Sequence, residues 1–179
     1  DSPRIDIKQN PLYETDNFAY LDTHYYGGLK KYQWVTSPMS LHGVVVKKDG
    51  TVVDICIGEK ETDPVLVITD LLVHLSAQQL EKKASVVIEG EKLDVLVGNS
   101  PVVSEDEKEK DAVKANILKV LKETYDIEED DFTSAELEIV PAGKARDCGL
   151  DRSMILAYGQ DDRVCAFTSL FAMLDVEQT

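Results

Sequence analysis

Apolar positions change their spacing along this chain, and each change marks an element. Residues Asp1 to Glu14 alternate at Ile5 and Ile7 and are broken by Pro3 and Pro11, which predicts extended backbone. Leu41 to Val46 and Val52 to Ile57 are β-branched runs on either side of Lys48-Asp49-Gly50-Thr51. Asp-Gly between two such runs accepts the positive φ angles of a tight turn, so these segments are predicted to form a hairpin. Val65 to Ile68 follows as a short strand. After it, Thr69 is placed to cap a helix whose apolar face is Leu71, Leu72, Leu75 and Leu80.

Further along, Ser104 and Glu107 have the spacing of a capping box. They open a predicted helix over Glu105 to Tyr125 that turns Val113, Ile117, Val120, Leu121 and Tyr125 inward. Glu128 to Asp131 reads as a solvated acidic loop. Glu136 to Val140 alternates as a strand and stops at Pro141-Ala142-Gly143. Val164, Phe167, Leu170, Phe171 and Leu174 repeat at helical spacing. Two stretches are less regular. Tyr13 to Tyr32 is aromatic-rich around a Gly27-Gly28 pair, and Ala84 to Gly98 combines a strand-like Ser85-Val86-Val87-Ile88 with a turn at Gly90-Glu91. Strands and helices do not alternate as βαβ units. The pattern predicts an α+β fold, with a β-rich, barrel-like middle and two inserted helices.

Composition narrows the function classes. The 179 residues suffice for one domain with a proper core, or a domain with flanking segments. A formal net charge of −15 argues against nucleic acid and against anionic membranes as partners, since both recruit clustered Lys and Arg. No apolar run approaches the roughly 18 residues of a membrane span, and no basic-then-apolar leader is visible. Cys56, Cys148 and Cys165 are an odd, widely spaced set without a CxxC pair. They are expected to be reduced and mostly buried thiols in a cytoplasmic protein. The chain opens on Asp1 rather than Met, which suggests a processed or excised segment.

Few residues offer chemistry outright. His24, His42 and His74 form no i, i+4 pair of the kind that holds zinc, and no Ser/His/Asp order, P-loop or GxGxxG occurs. His42 is expected to be a half-buried strand residue, and His24 to pack or hydrogen-bond in its turn. His74 lies at the edge of its helix face, within reach of a cleft or a second subunit. In Tyr158-Gly159-Gln160-Asp161-Asp162-Arg163, two carboxylates stand at the mouth of the last helix. There they can cap backbone N–H groups or offer oxygen ligands to a cation.

Asp1-Ser2-Pro3-Arg4, Tyr26-Gly27-Gly28, Leu72-Val73-His74-Leu75, Ala135 to Pro141, and Gly149-Leu150-Asp151-Arg152-Ser153 through Asp161-Asp162-Arg163 occur in that order. Together they resemble the aspartyl aminopeptidase family of dinuclear zinc exopeptidases, in its bacterial branch. The resemblance implies a catalytic α/β domain with a lid and dimerisation domain inserted into it. Mapped here, 1–9 is an edge of the catalytic domain, 10–144 the insert, and 145–179 a catalytic segment with the terminal helix. The resemblance implies two zinc ions per active site, peptide substrates hydrolysed at the N-terminal residue by metal-activated water, and assembly into dimers and larger oligomers.

Residue by residue, Asp161 matches the aspartate that bridges the two ions. Asp1 matches the aspartate that orients a zinc-bound histidine from behind. His74 matches a histidine that reaches into the neighbouring subunit's active site to hold substrate or the developing oxyanion. Asp162 and Arg163 depart from the Asn-containing version of other branches and take no assigned role. The family's remaining ligands and its Glu-Glu pair have no counterpart in this sequence, so this chain is expected to be inactive alone. The rival reading is a standalone oligomerisation or binding module without catalysis.

Overall fold

The computed structural model describes residues 2–103 and 110–177. Seven antiparallel strands dominate it: β1 (Arg4–Thr15), β2 (Phe18–Tyr26), β3 (Pro38–Val46), β4 (Val52–Ile57), β5 (Leu66–Ile68), β6 (Val95–Gly98) and β7 (Ala135–Pro141). Their order is β4-β3-β5-β6-β2-β1-β7, and a further pairing of β3 with β7 joins the ends. The strands from β3 to β7 therefore close a six-stranded barrel, with β4 laid against the outer part of β3. The fold is α+β and β-rich, as the hydrophobic pattern predicts.

The hairpin follows the sequence closely. Leu41 pairs with Ile57 and Val46 with Val52, and the turn places Gly50 at φ 85°. The Thr51 N–H donates to the Asp49 carboxylate at 2.9 Å. Alternation then sends Met39, Leu41 and Val45 of β3 and Leu137 and Ile139 of β7 into the core. Ile5 of β1 lies opposite Ile139, so the entering and leaving strands of the barrel are neighbours. β1 shifts register between Ile7 and Leu12, where Asn10 takes φ 51°. Gly43 marks a close approach: its φ is 138°, and a Cβ there would stand 1.9 Å from the Glu136 carbonyl oxygen.

Among the described residues the α-helices are α1 (Ala77–Leu80), α2 (Ala112–Tyr125) and α3 (Gln160–Leu174). A small hairpin of β8 (Arg146–Cys148) and β9 (Met154–Leu156) precedes α3. The helix α2 buries Val113 and packs Ile117, Leu121 and Tyr125 on the barrel core. The expected Ser104–Glu107 box lies outside the described residues. At Asp111 the backbone is left-handed and supplies no side-chain cap. Instead, Glu14 of β1 accepts the Val113 and Lys114 N–H groups, each at 2.9 Å. These are the donors an N-cap side chain would satisfy, so a strand residue 99 positions away performs that role.

Other expectations are corrected. No helix starts at Thr69. The Asp70 carboxylate accepts from the Leu71 N–H and from the Gln79 amide, both at 2.8 Å, a local turn that competes with helix. What forms is a 3-10 turn over Val73–Leu75 and the short α1, with Leu71, Leu72, Leu75 and Leu80 exposed. Ser85 to Ile88 is not a strand, and β6 pairs with β2 and β5.

The acidic stretch after Asp126 is a 3-10 helix, Glu129–Ser134, rather than a solvated loop. Asp131 and Phe132 are buried in it, because the Asp131 carboxylate accepts the Glu128 N–H at 2.9 Å and Phe132 joins the core. The thiols are free but not mostly buried. Cys56 points away from Ile55 and Ile57 on β4 and is exposed, Cys165 is exposed on α3, and Cys148 is half-buried. The apolar stripe of α3 is uncovered as well, with Phe167 56% and Phe171 59% exposed. Among the described residues, no helix is long and apolar enough to cross a membrane.

Candidate functional site

The N-terminal strip meets the segment that leads into α3, beside the barrel. The Ser2 hydroxyl donates to the Asp161 backbone carbonyl at 2.6 Å. The Tyr158 hydroxyl donates to the Pro3 carbonyl at 2.7 Å. Trp34 meets the Tyr158 ring edge-on, with centroids 6.4 Å apart. Burial pushes the Tyr158 phenol above its usual range, with a further push from Glu138. Gly159 turns the chain into α3 with φ 81°, a conformation glycine adopts without strain.

Gly159 also holds the N-cap position of α3 and has no side chain to cap with. Asp161 (φ −87°, ψ 115°) and Asp162 (φ −117°, ψ 26°) sit in the first turn with non-helical backbone. Asp161 is thus fixed through its backbone to the N-terminal strip. Asp1, the residue before Ser2 in the sequence, lies outside the described residues.

His74 is elsewhere. It is exposed in the 3-10 turn Val73–Leu75, and it lines a cleft of about 630 Å³ with Asp70, Lys82, Glu89 and Lys92. Asp161 does not line that cleft. Among the described residues, no hydrogen bond or ion pair engages the His74 imidazole. Within this one chain, the two candidate residues are not brought together.

The other histidines have local partners that sequence reasoning missed. His42 Nε2 stands 3.1 Å from both the Ser40 hydroxyl and Glu59 Oε1. His24 Nδ1 stands 2.8 Å from Glu91, and that contact, with Lys8 nearby, holds the Glu91 carboxyl below its usual range. The first ties β3 to a loop and the second ties β2 to a 3-10 turn, Gly90–Lys92. Strand alternation could have indicated that His42 shares a face with Ser40, but neither glutamate is near its partner in sequence.

Among the described residues, no group of three or more His, Cys, Asp or Glu could hold a metal ion. Zinc requires four ligands, or three and a water. The described residues therefore do not compose a zinc centre, and Asp161 is at most one contributor to one.

Comparisons with known proteins place this geometry. The family described as "Aminopeptidase I zinc metalloprotease (M18)" matches residues 1–179. A probable M18 family aminopeptidase 1 of Clostridium acetobutylicum is 64% identical over 177 residues, which cover 99% of this chain and 38% of that protein. The crystal structure of aminopeptidase I from the same organism superposes with a TM-score of 0.88 at 62% identity, over 99% of this chain and 39% of that one. The M18 aminopeptidase structure from Thermotoga maritima gives 0.88 at 51% identity, over 99% and 38%. The chain thus spans a little over a third of the length of these relatives. From its motifs in order, its barrel and a match along its whole length, it belongs to the aminopeptidase I zinc metalloprotease family, M18.

Proposed function

We propose that this chain is part of a zinc-dependent aminopeptidase that releases N-terminal residues from peptides, and that it supplies the lid and self-association region. In this reading 10–144 is a domain inserted into a catalytic domain, and 1–9 and 145–179 are strips of that catalytic domain. The 9/10 boundary falls within the continuous strand β1.

The observation that carries the reading is the meeting of the N-terminal strip with the segments that follow the barrel. Ser2 bonds Asp161 across 159 positions, and β1 pairs with β7 where the barrel is entered and left. An insertion is tolerated when its two ends lie side by side, because the host backbone is then barely displaced.

Asp161 is the proposed metal-bridging residue, held by its backbone at that junction. Asp1 is the proposed orienter of a zinc-bound histidine. His74 is the proposed contact to substrate or oxyanion in a neighbouring subunit. Its exposure, its unengaged imidazole and the exposed Leu72, Val73 and Leu75 around it support a role across an interface. Two zinc ions per site and assembly beyond a dimer belong to the same reading, as does a cytoplasmic location.

The test is to assay the full-length protein for release of N-terminal residues from short peptides, before and after zinc chelation and readdition. Release that is lost on chelation and restored by zinc is expected. No release from any class of peptide, or release indifferent to chelation, would overturn the reading.

A further inference from the structure

A cavity of about 320 Å³ lies between α2 and the barrel, apart from both candidate residues. Its walls include Ile55 and Ile57 of β4, Leu66 of β5, Val97 of β6, Ile117 of α2 and Phe132. The space is partly open to solvent and falls at the lower end of the range of small-molecule pockets, about 300–1,000 Å³. Thr124 and Tyr125 are the two wall residues with polar side chains, and both belong to the end of α2.

The opening is marked by exposed members of the wall: Pro64, Val120 and Thr124. Asp63 stands next to Pro64 and acts electrostatically on the Tyr125 phenol. A negative group at the entrance opposes an anionic ligand, and no cationic side chain lines the walls to receive one.

We propose that this cavity is a binding site for one small uncharged apolar molecule, of the size of a medium-chain alcohol, with its hydroxyl at the Thr124–Tyr125 end. The hydrocarbon replaces water against aliphatic walls, and a neutral head meets the two protein hydroxyls at the mouth. The site goes beyond the peptidase reading and draws nothing from it.

The probe is 1-octanol, titrated into the full-length protein by calorimetry, with octanoate as the charged counterpart. Saturable binding of one 1-octanol per chain is expected, with octanoate at least about tenfold weaker. Val120→Trp blocks the mouth and Leu66→Phe fills the interior; each is expected to weaken 1-octanol binding at least about tenfold. Cooperative thermal unfolding is read on both variants to show that they fold. Absence of saturable 1-octanol binding, equal affinity for octanoate, or unchanged affinity in a folded Val120→Trp protein would each overturn the proposal.

Discussion

Ser2 and Asp161 are joined by a hydrogen bond of 2.6 Å from a side-chain hydroxyl to a backbone carbonyl, and Tyr158 repeats the tie on Pro3 at 2.7 Å. The phenol is half-buried, so water replaces its bond poorly. Tyr158→Phe is expected to cost about 1 kcal/mol in the full-length protein, and Ser2→Ala less because its hydrogen bond is exposed whereas that of Tyr158 is part-buried. Amide exchange in residues 158–163 reads the effect locally, and unchanged exchange in Tyr158→Phe would show that the tie contributes nothing.

The peptidase reading separates two residues by what they lose. Asp161→Asn in the full-length protein is expected to deplete bound zinc. His74→Ala is expected to lower peptide turnover with zinc content retained. Metal analysis alongside the activity assay distinguishes them. Full zinc occupancy in Asp161→Asn removes the bridging role, and parallel loss of zinc and activity in His74→Ala removes the substrate-side role.

Glu14 supports the start of α2 through two charge-assisted bonds. Glu14→Ala is expected to cost about 1–2 kcal/mol and to speed exchange of the first α2 amides roughly 5- to 30-fold. Exchange rates equal to those of the unmodified protein would mean that the helix start is satisfied in another way.

At Gly43 a methyl group has nowhere to go, since the Glu136 carbonyl is backbone in a paired strand. Gly43→Ala is expected to destabilise the barrel by about 1–3 kcal/mol through overpacking and an unfavourable φ. An unfolding temperature unchanged from the parent protein would contradict this close approach.

The Asp126 carboxyl is held down from its ordinary 3.8 to about 2, first by its hydrogen bond to Lys122 and then by Lys47. A depressed folded value means that the contribution is present above the ordinary value and is lost as pH falls through about 2. Lys122→Met is therefore expected to move the Asp126 midpoint upward. A carboxyl NMR titration over that acid window checks it, and a midpoint that stays at about 2 would assign the effect to another group.

How much of this was legible in the sequence depended on how local the cause was. The β3–β4 hairpin was readable to the residue because turn chemistry and alternation lie within the same 17-residue stretch, 41–57. The Thr69 helix failed because Asp70 and Gln79 set a local turn, and a row of leucines does not state what will cover it. The stripe on α3 was seen correctly as apolar and is nonetheless exposed. The cap on α2 came from Glu14, too distant in sequence for any motif. The candidate residues carried only an ambiguous local signal, Asp161 at a helix mouth where a carboxylate caps or ligates and His74 at the edge of an apolar face. Their proposed roles came from the order of several motifs, and the Ser2–Asp161 tie had no sequence signature.

The β1–β7 seam sets a schedule for making the protein. The first strand of the ring pairs with the last, Ile5 with Ile139, so the ring has no complete form until the ribosome has released residues near Pro141. Until then β1 and β3 each present an unmatched edge. Such long-range pairing is slow to assemble, because a long loop must close before any contact rewards it. During that interval the excess of acidic over basic residues in the sequence opposes the meeting of those edges on neighbouring chains.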